Sequence, residues 1–156
     1  MQYDGLYTDN VACYMSGNGT LNIVDKGENR GNRFSSGIVS NYSLTVEGVT
    51  INIDGFVYGI TEYGASRTFG DTFPKGNMSI KSGNITMNLV PKEEDAIESG
   101  DDICYEYGAS LDCNGKLDVT DSRLIVQYEY DSSKYGAIEL LPIYDYMNNL
   151  EGAAIY

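Results

Sequence analysis

The stretch Leu44–Ile53 reads LTVEGVTINI, and the fold turns on how it is paired. Apolar residues stand at Leu44, Val46, Val49, Ile51 and Ile53, with polar residues between them. Alternation of period two marks a strand with one buried face. The two halves mirror each other about Glu47-Gly48, which reads as strand, tight turn and strand. With Glu47-Gly48 in the turn, Val46 faces Val49, Leu44 faces Ile51 and Tyr42 faces Ile53. All six then share one face, and Ser43, Thr45, Thr50 and Asn52 share the other. A slip of one residue would split the apolar set, so this register is strongly specified. Gly48 supplies the positive φ that a primed turn needs at its second position.

Working outward, NMSIKSGNITMNL repeats the pattern. With Ser82-Gly83 in the turn, Ile80 faces Ile85 and Met78 faces Met87. A third turn is expected at Cys113-Asn114-Gly115. A three-residue loop closed by a bulge pairs Leu111 with Leu117 and Ala109 with Val119, and leaves Cys113 exposed on the turn. Further strands are expected at Gly19–Val24 and Arg123–Tyr130. Tyr135–Tyr146 reads as extended until Pro142, which marks an edge or an exit. The pentapeptide EYGAS occurs at Glu62–Ser66 and Glu106–Ser110, but the match extends in neither direction. The expectation is one all-β domain over residues 1–156, an antiparallel β-sandwich or flattened barrel built from hairpins. Irregular arms are expected at residues 1–33, which include one strand, and at 147–156.

Composition narrows the function classes. A chain of 156 residues is long enough to bury a core without disulfide or metal staples. Its net charge is −13, with a sequence pI of about 4.1. Such a surface repels phosphate backbones and anionic lipid, so neither nucleic acid nor a membrane is expected as a partner. No apolar run approaches the roughly 20 residues of a membrane-spanning helix. The opening MQYDGLYTDN has no basic flank and no apolar region, so a signal peptide is not expected there. Three cysteines, Cys13, Cys104 and Cys113, with no CxxC spacing, argue against a disulfide framework or a zinc site. Reduced thiols in a protein assembled in cytoplasm are the simplest reading. Four Asn-X-Ser/Thr triplets, at Asn18, Asn41, Asn77 and Asn84, are of the kind chance produces in a chain this rich in Asn, Ser and Thr.

Candidate chemistry is sparse. With no histidine, Ser-His-Asp and Cys-His systems are excluded. There is no phosphate-binding glycine loop. A carboxylate pair of the glycosidase kind is the simple enzyme reading left, but nothing brings two carboxylates together, and there is no Trp to form a sugar platform. No catalytic, cofactor-binding or metal-ligating residue is assigned, and no cofactor is expected. Groups with oxygen ligands gather at Asp4, Asp9 and Asn10, at Asp118 and Asp121, and across Glu93, Glu94, Asp95, Asp101 and Asp102. None has the spacing of a calcium loop. The stretch Pro91–Asp102 reads as a wet surface loop. Tyrosine is abundant at 14, with Tyr58, Tyr63, Tyr105, Tyr107, Tyr128, Tyr130, Tyr135, Tyr144, Tyr146 and Tyr156 in the later part. Half-buried strand faces explain such residues, and so does a protein contact surface.

The segment Arg33–Ile60, RFSSGIVSNYSLTVEGVTINIDGFVYGI, resembles a module of tailed-phage baseplate, tail-fibre and receptor-binding proteins. The matching positions are Gly37, Val39, Leu44, Val46, Gly48, Val49, Ile51, Ile53, Gly55, Val57 and Gly59. Asn114-Gly115 and Val119–Leu124 resemble the exit of such modules loosely, while their usual Arg-Ile-Asp strand is missing. The resemblance implies a non-enzymatic component of a virion, in the tail, baseplate or fibre region. It would dock to other virion proteins and to copies of itself, often as a trimer. A capsid-decoration or head-to-tail connecting protein is the first alternative. A secreted, calycin-like barrel holding a small ligand is the second, and a carbohydrate-binding module the third.

Overall fold

In the computed structural model the two halves of LTVEGVTINI do not pair with each other. The structure describes residues 4–8, 11–26, 35–62, 76–90, 92–93, 105–106, 110–129, 143–149 and 154–155. Among them run β1 (Asp4–Thr8), β2 (Ala12–Ser16), β3 (Thr20–Val24), β4 (Ser36–Ser40), β5 (Ser43–Glu47), β6 (Thr50–Phe56) and β7 (Tyr58–Glu62). Then follow β8 (Asn77–Lys81), β9 (Asn84–Leu89), β10 (Lys92–Glu93), β11 (Tyr105–Glu106), β12 (Leu111–Thr120), β13 (Arg123–Tyr128), β14 (Ile143–Asn149) and β15 (Ala154–Ile155). Every strand pair is parallel except the short β10–β11 pair. The expected antiparallel sandwich or barrel is therefore wrong. The chain is a parallel β-solenoid, each coil laying one strand on each of three faces.

Coil 1 is β1, β2 and β3; coil 2 is β4, β5 and β6; coil 3 is β7, β8 and β9. Coil 4 is the two halves of β12 followed by β13, and coil 5 is β14 followed by β15. Face A stacks β1, β4, β7, the start of β12 and the start of β14. Face B stacks β2, β5, β8, the end of β12 and the end of β14. Face C stacks β3, β6, β9, β13 and β15. Faces A and B join into one eight-stranded sheet because β12 runs unbroken round their shared corner.

Leu44, Val46, Val49, Ile51 and Ile53 are inward as the alternation implies, whereas Tyr42, expected on the same face, is exposed in the bend before β5; the partners of the inward residues lie in other coils. Leu44 stacks between Cys13 and Met78, and Val46 between Met15 and Ile80. Ile51 stacks between Leu21 and Ile85, and Ile53 between Ile23 and Met87. The supposed second hairpin comes apart likewise: Met78 also meets Leu117, and Ile85 meets Leu124. No loop exists at Cys113–Gly115; β12 passes through it with a shift of register between Cys113 and Lys116. Leu111 pairs with Ile60 and Ile143, not with Leu117. Residues 4–24 supply a whole coil, and β14 and β15 add to β12 and β13. The calycin-like reading, which needs antiparallel closure, falls with the barrel.

The reason lies in one dihedral. A type I′ turn requires positive φ at both central residues, and type II′ at the first. Gly48 has φ 74°, while Glu47 is not in that region. One left-handed residue turns the strand through a corner instead of reversing it. The same device recurs at this B-to-C corner in the first four coils, at Gly17 (φ 125°), Gly48, Ser82 (φ 52°) and Asp121 (φ 48°). Inter-coil hydrogen bonds run through the corner without a break. The N–H groups of Gly17, Gly48 and Ser82 donate to Glu47, Lys81 and Thr120 of the next coil. Those of Thr50, Asn84 and Arg123 donate back to Gly19, Val49 and Gly83. At coil 4, Ser122 fills the inner corner: its hydroxyl accepts the Gly83 N–H at 3.0 Å and donates to the Thr120 carbonyl at 2.7 Å.

Gly48→Ala is expected to cost about 1–2 kcal/mol, because an alanine is strained at that φ. Its Cβ would also meet the Gly17 carbonyl oxygen at 2.8 Å. Gly48→Asn should cost less, since Asn tolerates the left-handed region. Urea denaturation of the two variants checks the order.

The core is the stack of inward columns, with Leu44, Val46, Ile51, Ile60, Met78, Ile80, Ile85, Met87, Leu89, Leu111, Leu117 and Val119 wholly buried. Each such side chain contributes roughly 1.5–3 kcal/mol by leaving water. Strands β4 and β7 are buried on both sides almost throughout, which explains their small residues, SGIVS and YGITE. A Cβ on Gly37 would meet Ile53 Cγ2 at 2.5 Å, and one on Gly59 would overlap Met87 Sδ and the Ser110 carbonyl. Glycine here lets face A close on face C.

Candidate functional site

Two places carry chemistry beyond packing: a buried polar pair inside the A-to-B corner, and the open end of coil 1. Neither was found in the sequence.

The pair is Glu62 and Cys113, register neighbours on β7 and β12 and both fully buried. The Cys113 thiol donates toward Glu62 Oε2 at 3.6 Å. Burial pushes the thiol up to about 11; the Gly115 N–H opposes this, and the neighbouring Glu62 charge adds to it. Cys113 is thus an inert interior group, not the exposed turn residue expected. A Cβ on Gly76 would overlap both Glu62 Oε1 and the Tyr42 carbonyl, so glycine there makes room for the carboxylate. Cys13, on β2, is half-buried, and that burial raises its thiol. Both are free thiols, and Cys104 lies outside the described residues. At pH 8 an iodoacetamide label should reach Cys13 within minutes. At Cys113 only about one thiol in a thousand is ionised at that pH, and labelling should wait for unfolding. Peptide mass spectrometry reads the two sites separately.

The open end is built by β1 and β3. The start of β1 (Asp4 to Leu6) and most of β3 with the residue after it (Leu21 to Asp25), together with Phe56 of β6, line a groove of about 480 Å³. Leu6, Leu21, Ile23 and Phe56 form its apolar floor, and Asp4, Asn22 and Asp25 its polar part. Asp4 Oδ1 accepts the Ser36 N–H at 3.3 Å, which ties the start of β1 to coil 2. Leu6, Cys13, Met15 and Leu21 pack on the core yet remain half-exposed, because no further coil lies over them among the described residues. Among the residues whose burial is described, the exposed large apolar side chains gather at this same end. Tyr7, Val11, Tyr14 and Val24 belong to coil 1 and its connections, and Tyr42 to coil 2; they are 40–61% exposed. Two of these tyrosines are oriented by hydrogen bonds: Asn41 Nδ2 donates to the Tyr7 hydroxyl, and the Tyr14 hydroxyl donates to Glu47 Oε2, both at 2.7 Å.

The tyrosines that drew notice in the sequence fall elsewhere. Tyr58 and Tyr128 are half-buried, and burial raises the Tyr128 hydroxyl. Tyr105, Tyr144 and Tyr146 lie in β11 and β14, while Tyr63, Tyr107, Tyr130, Tyr135 and Tyr156 lie outside the described residues. Of the acidic groups, Asp118 pairs with Lys116 at 2.9 Å and Asp121 turns the coil 4 corner. Asp9, Asn10, Pro91 and residues 94–102 lie outside the described residues; Glu93 lies in β10. Among the described residues no three His, Cys, Asp or Glu side chains are grouped to hold a metal ion. No described helix is long and apolar enough to cross a membrane. No family model, curated protein or solved structure matches the chain.

Proposed function

We propose that this chain is a non-enzymatic structural module that works by docking, a rigid solenoid segment within a larger protein assembly. The observation that carries this is the concentration of exposed tyrosine and valine around the half-exposed apolar end of coil 1. Aromatic residues at a patch of this kind are what protein contact surfaces are built from. The assembly we favour is a phage virion, in its tail, baseplate or fibre region, with other virion proteins and copies of this chain as partners. The support for it is the resemblance of residues 33–60, a stretch that spans coil 2 and opens coil 3. The solenoid explains what those matched residues do: Leu44, Val46, Ile51 and Ile53 point inward, and Gly48 turns the corner. Gradient-purified particles analysed by mass spectrometry, with antibody labelling in electron microscopy, test the reading. The chain is expected at fixed copy number at one particle site, and its absence from washed particles would overturn the proposal.

A further inference from the structure

We infer that the end of coil 1 binds coil 5 of a second copy of this chain, head to tail, so that the solenoid continues from one molecule into the next. This rests on the docking reading but not on which assembly the chain serves.

Strands β1, β2 and β3 each pair on one side only, with β4, β5 and β6. Their other edges are bordered by no strand among the described residues. Natural sheet edges are guarded by lysine, proline or bulges. DGLYT, ACYMS and TLNIV contain no lysine, arginine or proline. The half-exposed Leu6, Met15 and Leu21 stand behind these edges. Such an end fits strand addition, in which a partner extends the ladder.

The polarity of the ladder selects the partner. Every pairing between coils is parallel, so the occupant must offer strands running the same way round the three faces. Within this chain the far end offers that: β14 and β15 lie on β12 and β13, and no described strand borders their other edges. Their sequences, IYDYMNN and AI, also lack lysine, arginine and proline. Continuing the observed registers places Ile143 of one copy beside Leu6 of the next, and Ala154 beside Thr20. A contact of coil 1 on coil 1 about a two-fold axis would instead run the strands antiparallel. The head-to-tail contact is heterologous and does not close on itself, so it gives an open series.

The test is sedimentation velocity with light scattering on the full chain over a wide concentration range. Mass should rise from 17.1 kDa in open-ended single-chain steps. Met15→Lys with Leu21→Lys should return the series to monomer, with circular dichroism showing retained strand content. Where that variant unfolds, a cross-link decides: Thr20→Cys combined with Ala154→Cys, with Cys13 and Cys104 changed to serine, should give a disulfide-linked ladder on oxidation. Thr20→Cys alone should not. A monomer at every concentration, a series that stops at dimer, or a cross-link formed by Thr20→Cys alone would overturn the inference. A strict monomer that still enters particles sinks the stacking and leaves the docking reading standing. A mass series in a protein absent from particles keeps the stacking and overturns the virion as the assembly.

Discussion

Ile85→Ala is expected to remove about 3–5 kcal/mol of unfolding free energy, the largest loss from any single truncation considered. Ile85 is wholly buried in coil 3, stacked between Ile51 of coil 2 and Leu124 of coil 4. Truncation removes the transfer energy of three carbons and leaves a cavity that parallel ladders on both sides hold open. Domains of this size have about 5–15 kcal/mol in total, so the variant should be on the verge of unfolding at 25 °C. Its neighbour Thr86 faces outward and is half-exposed, so Thr86→Ala should stay within about 0.5 kcal/mol of wild type. Urea titrations measure both. Equal effects at the two positions would mean that the inward column is not packed as described.

The second large effect separates the solenoid from the hairpin directly. Thr50 and Asn84 are register partners on neighbouring strands of face C. Neighbouring strands lie about 4.8 Å apart, inside the Cα range a disulfide accepts. Thr50→Cys with Asn84→Cys should therefore oxidise readily, in a background with Cys13 and Cys104 changed to serine. Closing that loop of 34 residues should add about 3–4 kcal/mol. The hairpin would instead bring Thr50 beside Thr45. In the solenoid these two lie on faces C and B, across the corner. A bridge between Thr45→Cys and Thr50→Cys, with none between the first pair, would rule out the parallel ladder.

How much was legible follows from these same residues. The inward set Leu44, Val46, Ile51 and Ile53 could be read from alternation alone, because burial on one face imposes period two whatever the partner. The partner could not be read that way. A hairpin and a solenoid corner both place Leu44, Val46, Val49, Ile51 and Ile53 inward, and at the turn they differ in whether Glu47 shares the positive φ of Gly48. The signal that decides is the recurrence of the corner in the segments 15–23, 46–53, 80–87 and 119–126. In each, an apolar residue enters the corner and two alternating apolar residues leave it. It escapes a search at fixed offset because face C repeats at unequal steps of 30, 34, 39 and 31 residues, from Thr20 to Thr50, Asn84, Arg123 and Ala154. The docking end was less accessible still. Tyr7 and Tyr14 look like other strand tyrosines until β1 and β2 are seen to be edge strands among the described residues.

The unequal steps also say where this fold accepts new sequence. The B-to-C corner holds two or three residues in each of the first four coils, and its hydrogen bonds leave no slack. The C-to-A connection is a single residue, Val57, between coils 2 and 3, yet it runs through residues 90–110 between coils 3 and 4. Both lengths deliver the chain to the same parallel register on face A. Each doubling of a flexible connection costs only about 0.6 kcal/mol in closure entropy. A peptide epitope or a small folded domain grafted at that corner should leave the ladders intact, whereas one residue inserted between Glu47 and Val49 should shear them. The A-to-B connection varies likewise, from none within β12 to residues 63–76 between β7 and β8, so the solenoid is in that sense a chassis with two permissive edges and one forbidden edge.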